Sequence, residues 1–336
     1  KQIEIHIDEN EAINDLKSLI QIDSRTNTQN ENQIIEYWES KYSDLGLETK
    51  LYKTSDNRLN LISTLKFSNN STSLIFNGHL DTNHIGNGWK TDPFGGEIIK
   101  NHIYGLGVSN MKASMAAMFN TAKILKKIGL NDGEIIFTSV LGELQGGVGT
   151  QTLLENGLKG DFFINGEPTD LNFMTIHAGT YSFTVNIKGE TRHLSKLDEA
   201  TDATLIMNKI LSELHSLDIS KNIKNENEKQ LNLIHIGAVK SGLGENFSDD
   251  RPPQVSDNSV IYGSIRFTNF SDIKEINRQI ETIITKYKKN YKNAKIEFEI
   301  QTNNPIMPPI KTDLSEQTLE LISNSNKLIR KSNPRI

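Results

Sequence analysis

A short apolar run from Ser73 to Asn77 leads directly into Gly78-His79-Leu80-Asp81-Thr82, and this junction constrains the fold more than any other segment. The run reads as a strand buried on both faces, which requires further layers of structure around it. His79 and Asp81 then follow two apart, on one face of the strand or of its extended exit. One of them can bind a metal while the other orients it. The chemistry implied is metal-assisted hydrolysis.

Helical and strand patterns alternate around that junction. Helical spacing covers Asn10 to Ile22 and Glu31 to Leu45, while Leu59 to Leu65 and Glu134 to Val140 have the character of buried strands. Between them, Lys112 to Ile128 carries Met115, Met118, Phe119, Ala122 and Leu125 as an apolar helical stripe, so its methionines read as core filler. The expectation for residues 1–178 is an α/β layered catalytic domain, with a central mixed β-sheet flanked by helices.

From Gly179 the pattern changes. Strands are expected at Thr180 to Lys188, Leu231 to Val239, Ser259 to Phe267 and Lys295 to Ile300, with helices at Ala200 to Leu217 and Asp272 to Tyr287. Ile273, Ile276, Ile280 and Ile283 share one face of the second helix. The order βαββαβ describes an α+β, ferredoxin-like unit with a four-stranded antiparallel sheet and two helices on one side. Residues 179–302 are therefore expected to form an inserted domain. Residues 303–336, with a proline-rich turn at Pro305 to Pro309 and a helix from Ser315 to Ile329, read as an incomplete return segment of the first domain.

Composition removes several classes of function. A net charge of -5 and a pI of 6.0 leave no basic footprint for nucleic acid. With no cysteine in 336 residues, a metal must rest on His, Asp and Glu. Those ligands suit zinc, with manganese or cobalt as alternatives. No apolar run approaches the roughly 20 residues that span a bilayer, and Lys1-Gln2-Ile3-Glu4 does not resemble a signal peptide. The expected setting is cytoplasmic.

Five motifs in register resemble the dinuclear-zinc hydrolases that include carboxypeptidase G, acetylornithine deacetylase, succinyl-diaminopimelate desuccinylase and aminoacylase. They are Gly78 to Thr82, Gly105 to Lys112, Gly142-Glu143-Leu144, Gly166 to Thr169 and Gly189 to His193. The resemblance implies hydrolysis of C–N amide bonds in small N-acyl amino acids or dipeptides, and a homodimer formed through the inserted lid domain. It implies that His79 and Glu167 hold the first zinc and that Asp81 orients His79. Glu143 would be the general base, taking a proton from the attacking water and passing it to the leaving nitrogen. His193 would stabilise the oxyanion.

The chain departs from the family pattern at the second metal. Asn110 stands where the family has a bridging Asp, and Leu144 where it has a second-metal Glu. No counterpart of the last His ligand precedes Ile336. The expectation is one metal at most, with Asn110 as a weaker third ligand beside His79 and Glu167. The alternative is a degenerate member that binds an amino-acid-like ligand or a protein partner without hydrolysis. Among weaker candidates, His84 could replace a ligand, and His102 and His177 flank strands. Arg266 falls near a substrate-carboxylate Arg of some relatives, with the alignment loose around Arg251-Pro252-Pro253.

Overall fold

The computed structural model describes residues 6–68, 72–250, 254–269, 271–301 and 306–330. Lys1 to Glu4, the segment Arg251-Pro252-Pro253 and Pro305 lie outside them. The chain divides into two compact units, Lys1–Leu171 and Asn172–Ile336.

The first unit runs α1 (Glu9–Gln21), α2 (Gln33–Asp44), β1 (Glu48–Lys53), β2 (Leu59–Lys66), β3 (Ser73–His79), β4 (Glu97–Ile99), β5 (His102–Tyr104), α3 (Ala113–Ile128), β6 (Glu134–Val140), α4 (Val148–Glu155) and β7 (Phe162–Asn165). Its main sheet has the order β1-β2-β6-β3-β7. The first three strands pair antiparallel, and β3 lies parallel to both β6 and β7, giving a mixed sheet. β4 and β5 form a separate hairpin.

At the centre of that sheet β6 is covered on both faces, and its apolar residues divide between them. Ile135 and Phe137 point into a core built with α1, α2 and α3, around Trp38, Tyr42 and Phe119. Ile136 and Val140 point the other way, against Leu153 of α4. Alternate residues of a strand face opposite sides, so a strand between two helical layers has no polar face. The stripe expected on α3 is buried at Met115, Met118, Phe119 and Ala122.

The second unit continues with β8 (Ile176–His177), β9 (Gly179–Lys188), α5 (Ala203–His215), α6 (Glu226–Lys229), β10 (Leu233–Gly242), β11 (Asn258–Phe267), α7 (Ile273–Asn290), β12 (Lys295–Ile300), β13 (Ile310–Lys311) and α8 (Glu316–Arg330). Its sheet has the order β10-β11-β9-β12, antiparallel throughout. α5 and α7 bury their apolar stripes against it. Asp202 and Asp272 cap these helices by accepting from the amides of Leu205 and Lys274.

The buried face of α7 is Ile276, Ile280, Ile284 and Tyr287, a register shifted from the expected stripe. Ile273 and Ile283 pack only partly against the core. Steps of four, four and three residues follow the 3.6-residue turn more closely than the expected set. The polar stretch Lys221 to Gln230 contains the short helix α6. Among the described residues no helix is long and apolar enough to cross a membrane.

Candidate metal centre

The end of β3 is fixed before any side chain acts. The Leu80 amide donates to the Val140 carbonyl at 3.0 Å, the Thr82 amide to Ser24 at 2.9 Å, and the Thr26 amide back to Thr82 at 2.9 Å. Ser24 Oγ also donates to the Leu80 carbonyl at 2.7 Å. The strand exit is thus held on one side by β6 and on the other by the loop after α1. Gly78 is required by close packing, since a Cβ there would stand 2.4 Å from Met111 Cε and from Met115 Sδ.

His79 and Asp81 are both buried at this exit. His79 Nδ1 lies 3.0 Å from the Asp81 carbonyl oxygen and 3.4 Å from its carboxylate Oδ1. On the other side of the ring, Nε2 lies 2.9 Å from Asn110 Oδ1 and 3.5 Å from Glu167 Oε1. Asn110 arrives from the irregular turn that precedes α3, and Glu167 from just beyond β7. Because β3 and β7 are parallel and in register from Leu74 with Phe162 to Asn77 with Asn165, their C-terminal ends emerge side by side.

Every atom facing the His79 ring nitrogens is an acceptor. Burial opposes a charged imidazole, but the Asp81 and Glu167 carboxylates and the Asn110 oxygen prevail and raise its pKa to about 9. Glu167 is half-buried, and burial raises its carboxyl above the usual range; His79 opposes that rise, while Glu143 and Asp81 add to it. Asp81 Oδ2 has no hydrogen-bond partner among the described residues despite complete burial. Such a carboxylate favours a cation nearby.

A metal ion fits this donor set. Zinc bonds of 2.0–2.1 Å in a tetrahedron separate neighbouring ligand atoms by about 3.3 Å, and the two oxygens facing Nε2 bracket that distance. His79, Glu167 and Asn110 would hold the ion, with Asp81 bracing the imidazole from behind. Among the described residues no three His, Asp or Glu side chains gather as a metal site. One converging group is an amide, and Asp81 stands on the far side of the ring.

Glu143 follows β6 on a tight turn, and its amide lies 3.5 Å from Asp81 Oδ1. Leu144 is 37% exposed and offers no ligand atom. His84 is exposed on the loop after β3. His102, in the β4–β5 hairpin, donates from Nδ1 to the Lys100 carbonyl.

His193, His177 and Arg266 belong to the second unit. The Ser195 amide donates to His193 Nδ1 at 3.2 Å, which leaves the proton of the neutral ring on Nε2. His177 Nδ1 donates to the Ala178 carbonyl, and Arg266 is exposed on β11.

The residue missed in the sequence is Lys112. It is completely buried, and its Nζ donates to the carbonyls of Leu19 at 2.8 Å and Ile22 at 3.1 Å. Burial pulls its pKa down to about 7, although Asp23 opposes this. It ties the end of α1 to the turn that bears Asn110. A lysine opening an apolar helix reads as an exposed first-turn residue, so the pattern hid it.

A profile of Peptidase family M20/M25/M40 matches residues 75–332, the stretch that holds His79, Asn110, Glu143 and Glu167. The chain belongs to this family. Among its relatives, YqjE of Bacillus subtilis is 34% identical over 151 residues, covering 44% of this chain and 40% of that protein. A probable succinyl-diaminopimelate desuccinylase of Staphylococcus epidermidis is 26% identical, covering 84% of this chain and 68% of its own. The M20 chain thus spans between two fifths and two thirds of these relatives.

Solved structures show the same fold. A tripeptidase from Staphylococcus aureus superposes with a TM-score of 0.73 at 21% identity, covering 98% of this chain and 84% of its own. Human carnosine dipeptidase 1 gives 0.79 at 14% identity, covering 99% and 84%.

Proposed function

We propose that this chain is a metal-dependent hydrolase of C–N amide bonds in small N-acyl amino acids or dipeptides, working with a single metal ion. The observation that carries the reading is the convergence of Asn110 Oδ1 and Glu167 Oε1 on His79 Nε2, at 2.9 and 3.5 Å, with Asp81 on Nδ1. Zinc bound there would supply a Lewis acid for the scissile carbonyl and a more acidic water.

The chain's own groups do the rest. Asp81 holds the imidazole tautomer and keeps Nε2 aimed at Asn110 and Glu167. Glu143 takes a proton from the attacking water on its carboxylate and gives it to the leaving nitrogen. Asn110 and Leu144, in place of charged ligands, support one ion rather than two, since a neutral amide bridges cations poorly and Leu cannot coordinate. The oxyanion role of His193, the carboxylate-binding role of Arg266, a cytoplasmic setting and a homodimer through residues 179–302 rest on the family resemblance.

Metal analysis of protein purified without chelator is expected to find close to one zinc or manganese per chain. Folded protein that stays metal-free when zinc is supplied would sink the reading. A panel of N-acetyl amino acids, N-succinyl amino acids and dipeptides then identifies the substrate class. Leu144 favours one competing reading, a binding protein. Saturable amino-acid binding by zinc-loaded protein with no turnover on any of the panel would establish that instead.

A further inference from the structure

Behind the loop that carries Glu143 lies a buried ion pair that the proposed chemistry leaves unexplained. Arg58 is 7% exposed and Glu31 5%. Arg58 Nε lies 3.2 Å from Glu31 Oε1, Nη2 donates to Asn27 Oδ1 at 2.6 Å, and Asp56 closes on Nη1. The Asn27 amide donates to the other Glu31 oxygen at 3.1 Å. The guanidinium is therefore held from three directions, and Glu31 is held through both of its oxygens.

The stem of Arg58 lies against the turn beneath Glu143. Gly142 has φ +87°, and a Cβ built there would stand 3.4 Å from Arg58 Cδ and 3.8 Å from Nε. The neighbouring Leu141 amide donates to Asn60 Oδ1 at 2.9 Å, and the Asn60 side chain donates to the Arg58 carbonyl at 3.2 Å. Thr26, one residue before Asn27, donates from Oγ1 to Gln145 Oε1 at 2.9 Å. The loop from Leu141 to Gln145 is suspended on Arg58, its carbonyl and the segment that Glu31 braces.

Stability alone does not explain such a pair. Desolvating two charges is costly, and apolar residues of similar volume serve a core equally well or better. What an Arg fork adds is direction, because its planar donors fix it in one orientation. The site also lies within electrostatic reach of the pair. Burial raises the Glu31 carboxyl above its usual range; Arg58 and the Asn27 amide oppose that rise, and the Asp81 charge adds to it.

We propose that the buried Arg58–Glu31 pair positions the general base, holding the Leu141–Gln145 loop so that Glu143 meets the attacking water in one geometry. Both are positioning residues, and the inference rests on the reading of Glu143 as base.

The test uses the full zinc-loaded chain and an amide substrate that the wild type cleaves. Arg58→Met and Glu31→Gln are expected to lower kcat by about 10- to 100-fold, the range expected when a reacting group is displaced by an ångström. KM and zinc per chain should not change. Arg58→Lys, which keeps the charge and loses the fork, should recover part of the rate.

A second readout is independent of activity. Hydrogen exchange across residues 138–148 should accelerate in both variants, while α5 exchanges as in the wild type. Unchanged exchange at 138–148 overturns the proposal, as does a loosened loop with wild-type kcat. If Arg58→Met does not fold, the isosteric Glu31→Gln carries the test. A wild type that cleaves nothing refutes the hydrolase reading, and the exchange experiment still decides whether this pair holds the loop.

Discussion

Gly149, inside α4, has no room for a methyl group: a Cβ there would stand 2.3 Å from both Asn60 Oδ1 and the Leu141 carbonyl. Alanine would gain about 0.5–1 kcal/mol of helix preference. Against that, overlap at a well-packed position costs about 1–3 kcal/mol, and here it displaces the oxygen that holds the Leu141 amide. Gly149→Ala is therefore expected to be destabilising, and a raised urea midpoint would contradict this. Asp81→Asn should weaken zinc binding by about 10- to 100-fold, as loss of an orienting carboxylate does; titration against a competing chelator measures it. Asn110→Asp combined with Leu144→Glu is expected to raise bound metal above one per chain. Either change alone should do little, and a large gain from Leu144→Glu alone would show that the second site is not built from both positions.

At the scale of elements, long periodic segments were legible and short ones were not. β6 and β12 fall where their apolar runs place them, at Glu134–Val140 and Lys295–Ile300. β7 carries no readable signal because it has four residues, all exposed, and α4 carries little because it is an eight-residue helix with Gly149 inside it. The hairpin β4–β5, with three residues per strand, carries no readable period. Packing between α5 and α7 yields a pH prediction. Lys286 Nζ lies 2.7 Å from Glu213, and the Tyr287 hydroxyl donates to the same oxygen at 2.5 Å. These bonds hold the Glu213 carboxyl below its ordinary value of 4.5. A depressed carboxylate stabilises the fold above the unfolded pKa, and that contribution is lost as pH falls below it. Because Lys286 is largely exposed, the effect should stay under about 1 kcal/mol. Glu213→Gln should lower stability at pH 7 and converge with the wild type in acid; equal stability at both pH values would refute the link.

On the scale of the whole molecule, each unit encloses its own apolar core. The first surrounds Trp38 and Phe119, the second Phe183 and Ile210, and the two share no residue. Ile210→Ala is expected to cost about 2–5 kcal/mol, as truncation of a fully buried aliphatic does. The proposed metal donors His79, Asn110 and Glu167 all lie in the first unit, so zinc bound per folded chain should match the wild type; loss of zinc from folded protein would show that the cores are coupled. By itself the sequence determined the alternation of layers, the βαββαβ order and the chemical types at the site, because apolar period and motif chemistry are local properties. Only the tertiary structure decided that Asn110, 31 residues from His79, meets its Nε2 at 2.9 Å, that Lys112 is buried, and that Arg58 pairs with Glu31 beside Gly142. Those outcomes depend on strand register and helix packing between distant segments, which no local pattern encodes.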